Sequence, residues 1–240
     1  MLLAGLLTAA ALLLTACSTP VKTSAGPDHS SLSSAGLLSV FLENELSRGP
    51  VKFTFSGDIE VQAGGSHRFR GACGYTSCAD LRIQLLGPLG FTLLDYVNSE
   101  GRATLVANKL TPEGDDEALQ GLMKLMEIFS LSLLDRCQTS AGIDVDPLHL
   151  GSANFVTHGR SGMQIHFKLD EEKAVVLQQI VKGGTLPTAV IDYSGYALVD
   201  GYWMPGSIGI QTTDMPVAIN MEIGHWRIHA NLPEHFFLVE

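Results

Sequence analysis

The side chains able to do chemistry in this chain are few and scattered. His225 and His229 stand four apart, the spacing of a zinc-binding helix. The stretch around them alternates like a strand, however, and there the pair would sit about 13 Å apart, too far to share a metal. They read as surface histidines in a His-rich end, Gly224 to His235. Asp144 and Asp146 precede Pro147 and read as turn residues rather than an acid–base pair. Gly159-Arg160-Ser161-Gly162 lacks the Gly-x-Ser-x-Gly spacing of a nucleophile elbow. Glu171-Glu172-Lys173 reads as a solvated turn, and no phosphate-cradling glycine loop occurs. The residues point to no enzyme, no metal and no cofactor.

The cysteines carry more. Cys73-Gly74-Tyr75-Thr76-Ser77-Cys78 could staple a hairpin turn in an oxidising compartment. Cys137 could instead reach one of that pair, leaving one thiol over in either case. A metal site ranks last, because no second paired-cysteine motif completes a zinc set. Cys17 is different. It ends an apolar run, Met1 to Ala16, that is too short for the ~20 residues of a bilayer span and suits a signal-peptide core. Leu14-Thr15-Ala16-Cys17 resembles a bacterial lipobox, in which the cysteine thiol is lipidated as the signal is cut away. No Lys or Arg precedes Lys22, so the usual basic start is missing. Ser18 follows the cysteine where Asp would favour inner-membrane retention, and the resemblance implies an outer-membrane destination on the periplasmic face.

These observations divide the chain into a signal peptide, 1–16, a lipidated cysteine with a flexible tether, 17–34, and one folded domain, 35–240. The tether is rich in Ser, Thr, Pro and Gly and cannot bury enough surface to offset its ordering entropy. The whole chain has 17% charged and 45% hydrophobic residues, ample for a large core. Its formal charge of −10 argues against nucleic-acid binding and against electrostatic adhesion to anionic lipid.

The elements of the body follow from hydrophobic period. Gly36 to Ser47 reads as a short helix ended by Gly49-Pro50. Val51, Phe53 and Phe55 then alternate with polar residues, as do Leu81, Ile83 and Leu85. About ten strands with tight turns are expected: 51–61, from 67, 81–85, 91–97, 103–107, 155–157, 163–169, 174–181, 189–193, 203–211 and 217–229. Thr111-Pro112 would start an inserted helix. Leu119, Leu122, Met123, Met126, Phe129 and Leu133 share one face of it, and Leu125, Ile128, Leu131 and Leu134 widen that face to most of the circumference. A helix apolar nearly all round is buried on several sides. The expected fold is mostly β (α+β), a curved antiparallel half-barrel with this apolar helix as a lid over its concave face.

This order resembles the LolA/LolB-like superfamily, a half-barrel with helices over a hydrophobic cavity. The local likeness is best at Leu81-Arg82-Ile83-Gln84-Leu85-Leu86-Gly87-Pro88-Leu89-Gly90 followed by Phe91-Thr92-Leu93-Leu94. A second stretch, Asp200-Gly201-Tyr202-Trp203-Met204-Pro205, is similar to a Gly-x-Trp-x-Pro entry into a late strand. In that family a Pro-Leu-Gly turn exposes a leucine that promotes lipoprotein transfer into the bilayer, which here implies Leu89. The resemblance implies a groove under the lid helix for acyl chains or other lipoproteins, and assistance in their transfer to the outer membrane. The alternative is an accessory lipoprotein of an envelope assembly that uses the sheet for docking.

Overall fold

Period-two alternation becomes one wide antiparallel sheet. A computed structural model describes residues 26–61, 65–76, 80–87, 90–99, 102–107, 116–135, 143–145, 153–158, 162–184, 186–213 and 217–238. Helix α1 spans Ser34–Ser47. The strands are β1 (Val51–Val61), β2 (Gly65–Tyr75), β3 (Leu81–Leu86), β4 (Thr92–Ser99) and β5 (Arg102–Ala107), then helix α2 (Asp116–Asp135). After it come β6 (Ile143–Val145), β7 (Asn154–His158), β8 (Gln164–Leu169), β9 (Val176–Lys182), β10 (Ala189–Ser194), β11 (Ala197–Val199), β12 (Tyr202–Met204), β13 (Ser207–Thr212) and β14 (Val217–Arg227). Among the described residues the main sheet has 12 strands in the order β5-β4-β3-β2-β1-β14-β13-β10-β9-β8-β7-β6, and its ends do not meet. This is the open, curved half-barrel with an inserted helix that the hydrophobic pattern requires.

The inward face is built by every second residue. Val51, Phe53 and Phe55 on β1, Leu81, Ile83 and Leu85 on β3, and Val217, Ile219 and Met221 on β14 join one core with Leu125, Ile128 and Phe129 of α2. Helix α1 adds Leu37 and Phe41 at i, i+4 spacing, with the Phe41 ring 5.7 Å from that of Phe167 on β8. Ser33 caps α1, accepting from the Gly36 N–H at 3.3 Å. Residues 26–33, read from composition as the end of the tether, lie against the body: the His29 N–H donates to the Glu172 carbonyl at 2.9 Å.

Two readings change. The run 203–211 is not one strand. Pro205 offers no N–H to the ladder, and Gly206 donates back to Ser194 at 2.9 Å, so β12 separates from β13 and folds onto β11. Asp200 and Gly201, both at positive φ, make the β11–β12 turn. Asp144 is not in a turn but in β6, opposite Val156; Asp146 lies outside the described residues. The Thr111-Pro112 helix start also lies outside them, and α2 is described from Asp116.

One end of the outer face of β1–β4, around Lys52, Gly74 and Arg82, is covered by the C-terminal segment, which includes a short 3-10 turn, Glu234–Phe237. Gly74 makes room for it: a Cβ there would come within 2.6 Å of the Phe236 ring. Lys52 and Arg82 stand over that ring at 5.4 and 5.6 Å. Arg82 also donates to the Phe236 carbonyl at 2.7 Å and holds Asp95 with two bonds, at 2.9 and 2.5 Å.

Candidate functional site: the helix in the bowl

Helix α2 is driven into the bowl by its own composition. Leu125, Met126, Ile128, Phe129 and Leu133 are buried, and Met123 and Leu131 are partly so. Of the expected groove residues, Met123, Met126, Phe129 and Leu133 therefore face the core; Leu119 and Leu122 lie on the helix, with side chains outside the described set. The helix touches β3, β9, β13 and β14, strands from both halves of the sheet. Gly121 sets its approach to β14, since a Cβ there would lie 3.0 Å from Val217.

What apolar patterning could not reveal is a polar seam on each wall. Ser130 and Ser132 are fully buried. Two residues apart on a helix, they point to opposite sides. Asn98 of β4 donates to Ser130 Oγ at 3.3 Å. On the other wall, Gln179 of β9 donates to the Ser132 carbonyl at 3.3 Å and accepts from the Tyr193 hydroxyl at 2.5 Å. Ser132 Oγ turns back to the Phe129 carbonyl at 2.7 Å. Burial pushes the Tyr96 hydroxyl, near Ser130, above the ordinary tyrosine pKa. Thr157 Oγ1 is buried on β7 without a hydrogen-bond partner among the described residues.

Among the described residues, the space left beside α2 at one end of the bowl is small. Where α1 and α2 meet the β11–β12 hairpin, a cavity of about 40 Å³ is lined by Phe41, Arg48, Tyr75, Phe129, Trp203 and Met204, among others. It holds roughly three waters, not a hydrocarbon chain. Arg48 is buried beside it, paired with Glu45 at 2.6 Å and 5.3 Å from the Tyr75 ring centroid. In this conformation the guest of the bowl is α2 itself.

The other candidates fall elsewhere. Cys73 is a free, fully buried thiol among the inward residues of β2, which corrects the expected Cys73–Cys78 bridge. The β2–β3 hairpin is closed instead by hydrogen bonds: Thr76 N–H to the Asp80 carbonyl at 2.9 Å, and Asp80 N–H to Thr76 Oγ1 at 3.0 Å. Cys78, Cys137, Ser161 and Cys17 lie outside the described residues, as does Leu89. Between β3 and β4, Gly87 N–H donates to the Phe91 carbonyl and Gly90 N–H to the Gly87 carbonyl, each at 2.9 Å. His225 is exposed on β14, whereas His229 lies beyond the strand at φ 50° and packs edge-on against Tyr202.

No protein-family model matches the sequence, and no curated protein does. Solved structures do match in shape. A LolA superfamily protein from Nitrosomonas europaea superposes with a TM-score of 0.58 at 7% identity, covering 87% of this chain and 99% of that one. A domain described as an outer membrane lipoprotein-sorting protein, from Vibrio parahaemolyticus, gives 0.52 at 12% identity over 84% and 94%. A DUF1329 family protein from Desulfovibrio piger gives 0.54 at 10% identity over 85% and 96%. The chain thus shares the fold of these three structures, a LolA superfamily protein among them.

Proposed function

We propose that this protein is a non-enzymatic lipoprotein, anchored by a lipid on Cys17 to the periplasmic face of the outer membrane, that takes acyl chains or lipoproteins under α2 and helps insert them into that membrane. The observation that carries the reading is a helix with a wide apolar face lying in the bowl of an unclosed sheet. Burying the five large apolar side chains of α2 contributes very roughly 8–15 kcal/mol, an upper estimate. A guest of about 16 methylenes at ~0.8 kcal/mol each would contribute about as much. Guest and helix can therefore exchange with little net change, which a carrier needs if it is to release what it binds.

Fluorescent fatty-acid displacement on the body from Ser18 onward tests this, with saturable, competitive binding expected. Binding that never saturates would instead leave the accessory reading, a docking sheet in an envelope assembly, which the small residual cavity favours. Leu89 is the residue that the resemblance assigns to membrane insertion. Leu89→Glu should cut delivery of a lipoprotein to acceptor membranes at least fivefold with the melting temperature unchanged; undiminished delivery would remove the insertion role.

A further inference from the structure

The outer face of the sheet carries a second groove, of about 520 Å³, lined by Ser56, Asp58, Arg68, Arg70, Glu222 and Gly87 among others. Its floor follows from register. Glu222 on β14 pairs with Ser56 on β1, and Ser56 pairs with Arg70 on β2. Paired residues share a face, so Glu222 and Arg70 flank a small serine, with backbones about 10 Å apart across two strand spacings. Two residues along, Asp58 pairs with Arg68. That ion pair is open, at 3.5 Å, with the Arg68 side chain 93% exposed. Among the described residues, Arg70 and Glu222 have no ion-pair partner. The groove thus holds two guanidinium groups and two carboxylates in a chain of formal charge −10.

A simple anion here would meet the carboxylates, and a simple cation the arginines. A group bearing both a phosphate and an ammonium satisfies both edges at once. The groove is also bounded by Leu86 and Gly87, where the Leu89 turn begins, and Phe91 on the far side of that turn is 37% exposed.

We infer that this groove binds the zwitterionic headgroup of a phosphoethanolamine phospholipid, Arg70 and Arg68 taking the phosphate and Glu222 and Asp58 the ammonium, beside the turn that enters the bilayer. The inference rests on the membrane reading of that turn. It differs from the adhesion that net charge opposes, because it needs matched local charges and no excess of either sign.

The test is calorimetric titration of the mature lipidated protein in nonionic detergent with glycerophosphoethanolamine, glycerophosphoglycerol and inorganic phosphate. Saturable binding of glycerophosphoethanolamine is expected, at least tenfold tighter than the other two probes. Arg70→Gln and Glu222→Gln should each weaken it at least tenfold, with melting temperature and fatty-acid displacement unchanged. Equal affinity for all three probes, no saturable binding, or binding that survives both substitutions overturns the headgroup site. Fatty-acid displacement retained in the same preparations would show that such a failure belongs to this groove and leaves the acyl reading standing.

Discussion

Single residues decide what the interior of this protein tolerates. Cys73 was legible as a cysteine, but its place in the core was not. Spacing cannot tell an inward strand position from a turn, and register turns Cys73 inward between Phe53 and Ile83. Burial pushes its thiol well above the ordinary value of 9.0. The folded state therefore holds the proton more tightly than the unfolded state. Stability from this site is complete below about pH 9 and falls as pH rises beyond it. In a background of Cys78→Ser and Cys137→Ser, Cys73 should resist a thiol reagent at pH 8 until denaturant is added, and Cys73→Val should flatten the loss of melting temperature between pH 9 and 10.5. Prompt native labelling would contradict the burial. Gln179 was equally hidden. Register shifts between Lys168 and Leu169, so that Lys168 pairs with Gln178 and Leu169 with Val176. The extra residue on β9 reverses the alternation and sends Gln179 inward, while Gln178 bonds Asp192 at 2.7 Å.

Among the elements, α2 combines a large apolar grip with weak polar fastening. Each of its wall bonds is worth about 1 kcal/mol net. Ser130→Ala and Gln179→Ala together should lower stability by roughly 1–3 kcal/mol. If α2 lifts to admit a guest, the same pair should speed fatty-acid uptake severalfold in stopped-flow fluorescence; an unchanged rate would show that wall bonds do not limit opening. Leu125→Ala should cost about 2–5 kcal/mol, because a void would open at a site with no exposure. The helix and most strands were readable because their apolar periods run long and uninterrupted. The three-residue strand β6 was not, since Ile143–Val145 is too short to show a period. The break at Pro205-Gly206 was readable in principle: a proline followed by glycine inside an alternating run marks the end of a ladder.

At the scale of the molecule, the C-terminal segment covers one end of the outer face of β1–β4, while α2 fills the inside of the sheet. Gly74→Ala should displace Phe236 and loosen that cover, at a cost of about 1–3 kcal/mol, and carboxypeptidase should then shorten the chain severalfold faster. The curved sheet followed from the number of alternating runs and tight turns, whereas its strand order was out of reach. Nothing in β1 or β14 announces that they pair, because that contact joins the two ends of the domain. It joins two 11-residue strands at the centre of the sheet. On a ribosome, the first long strand therefore waits for nearly the last, and until β14 emerges each flank is a separate meander lacking a shared spine. Closure over so large a sequence separation is slow. A polypeptide that stops at Thr213 should give no cooperative melting transition.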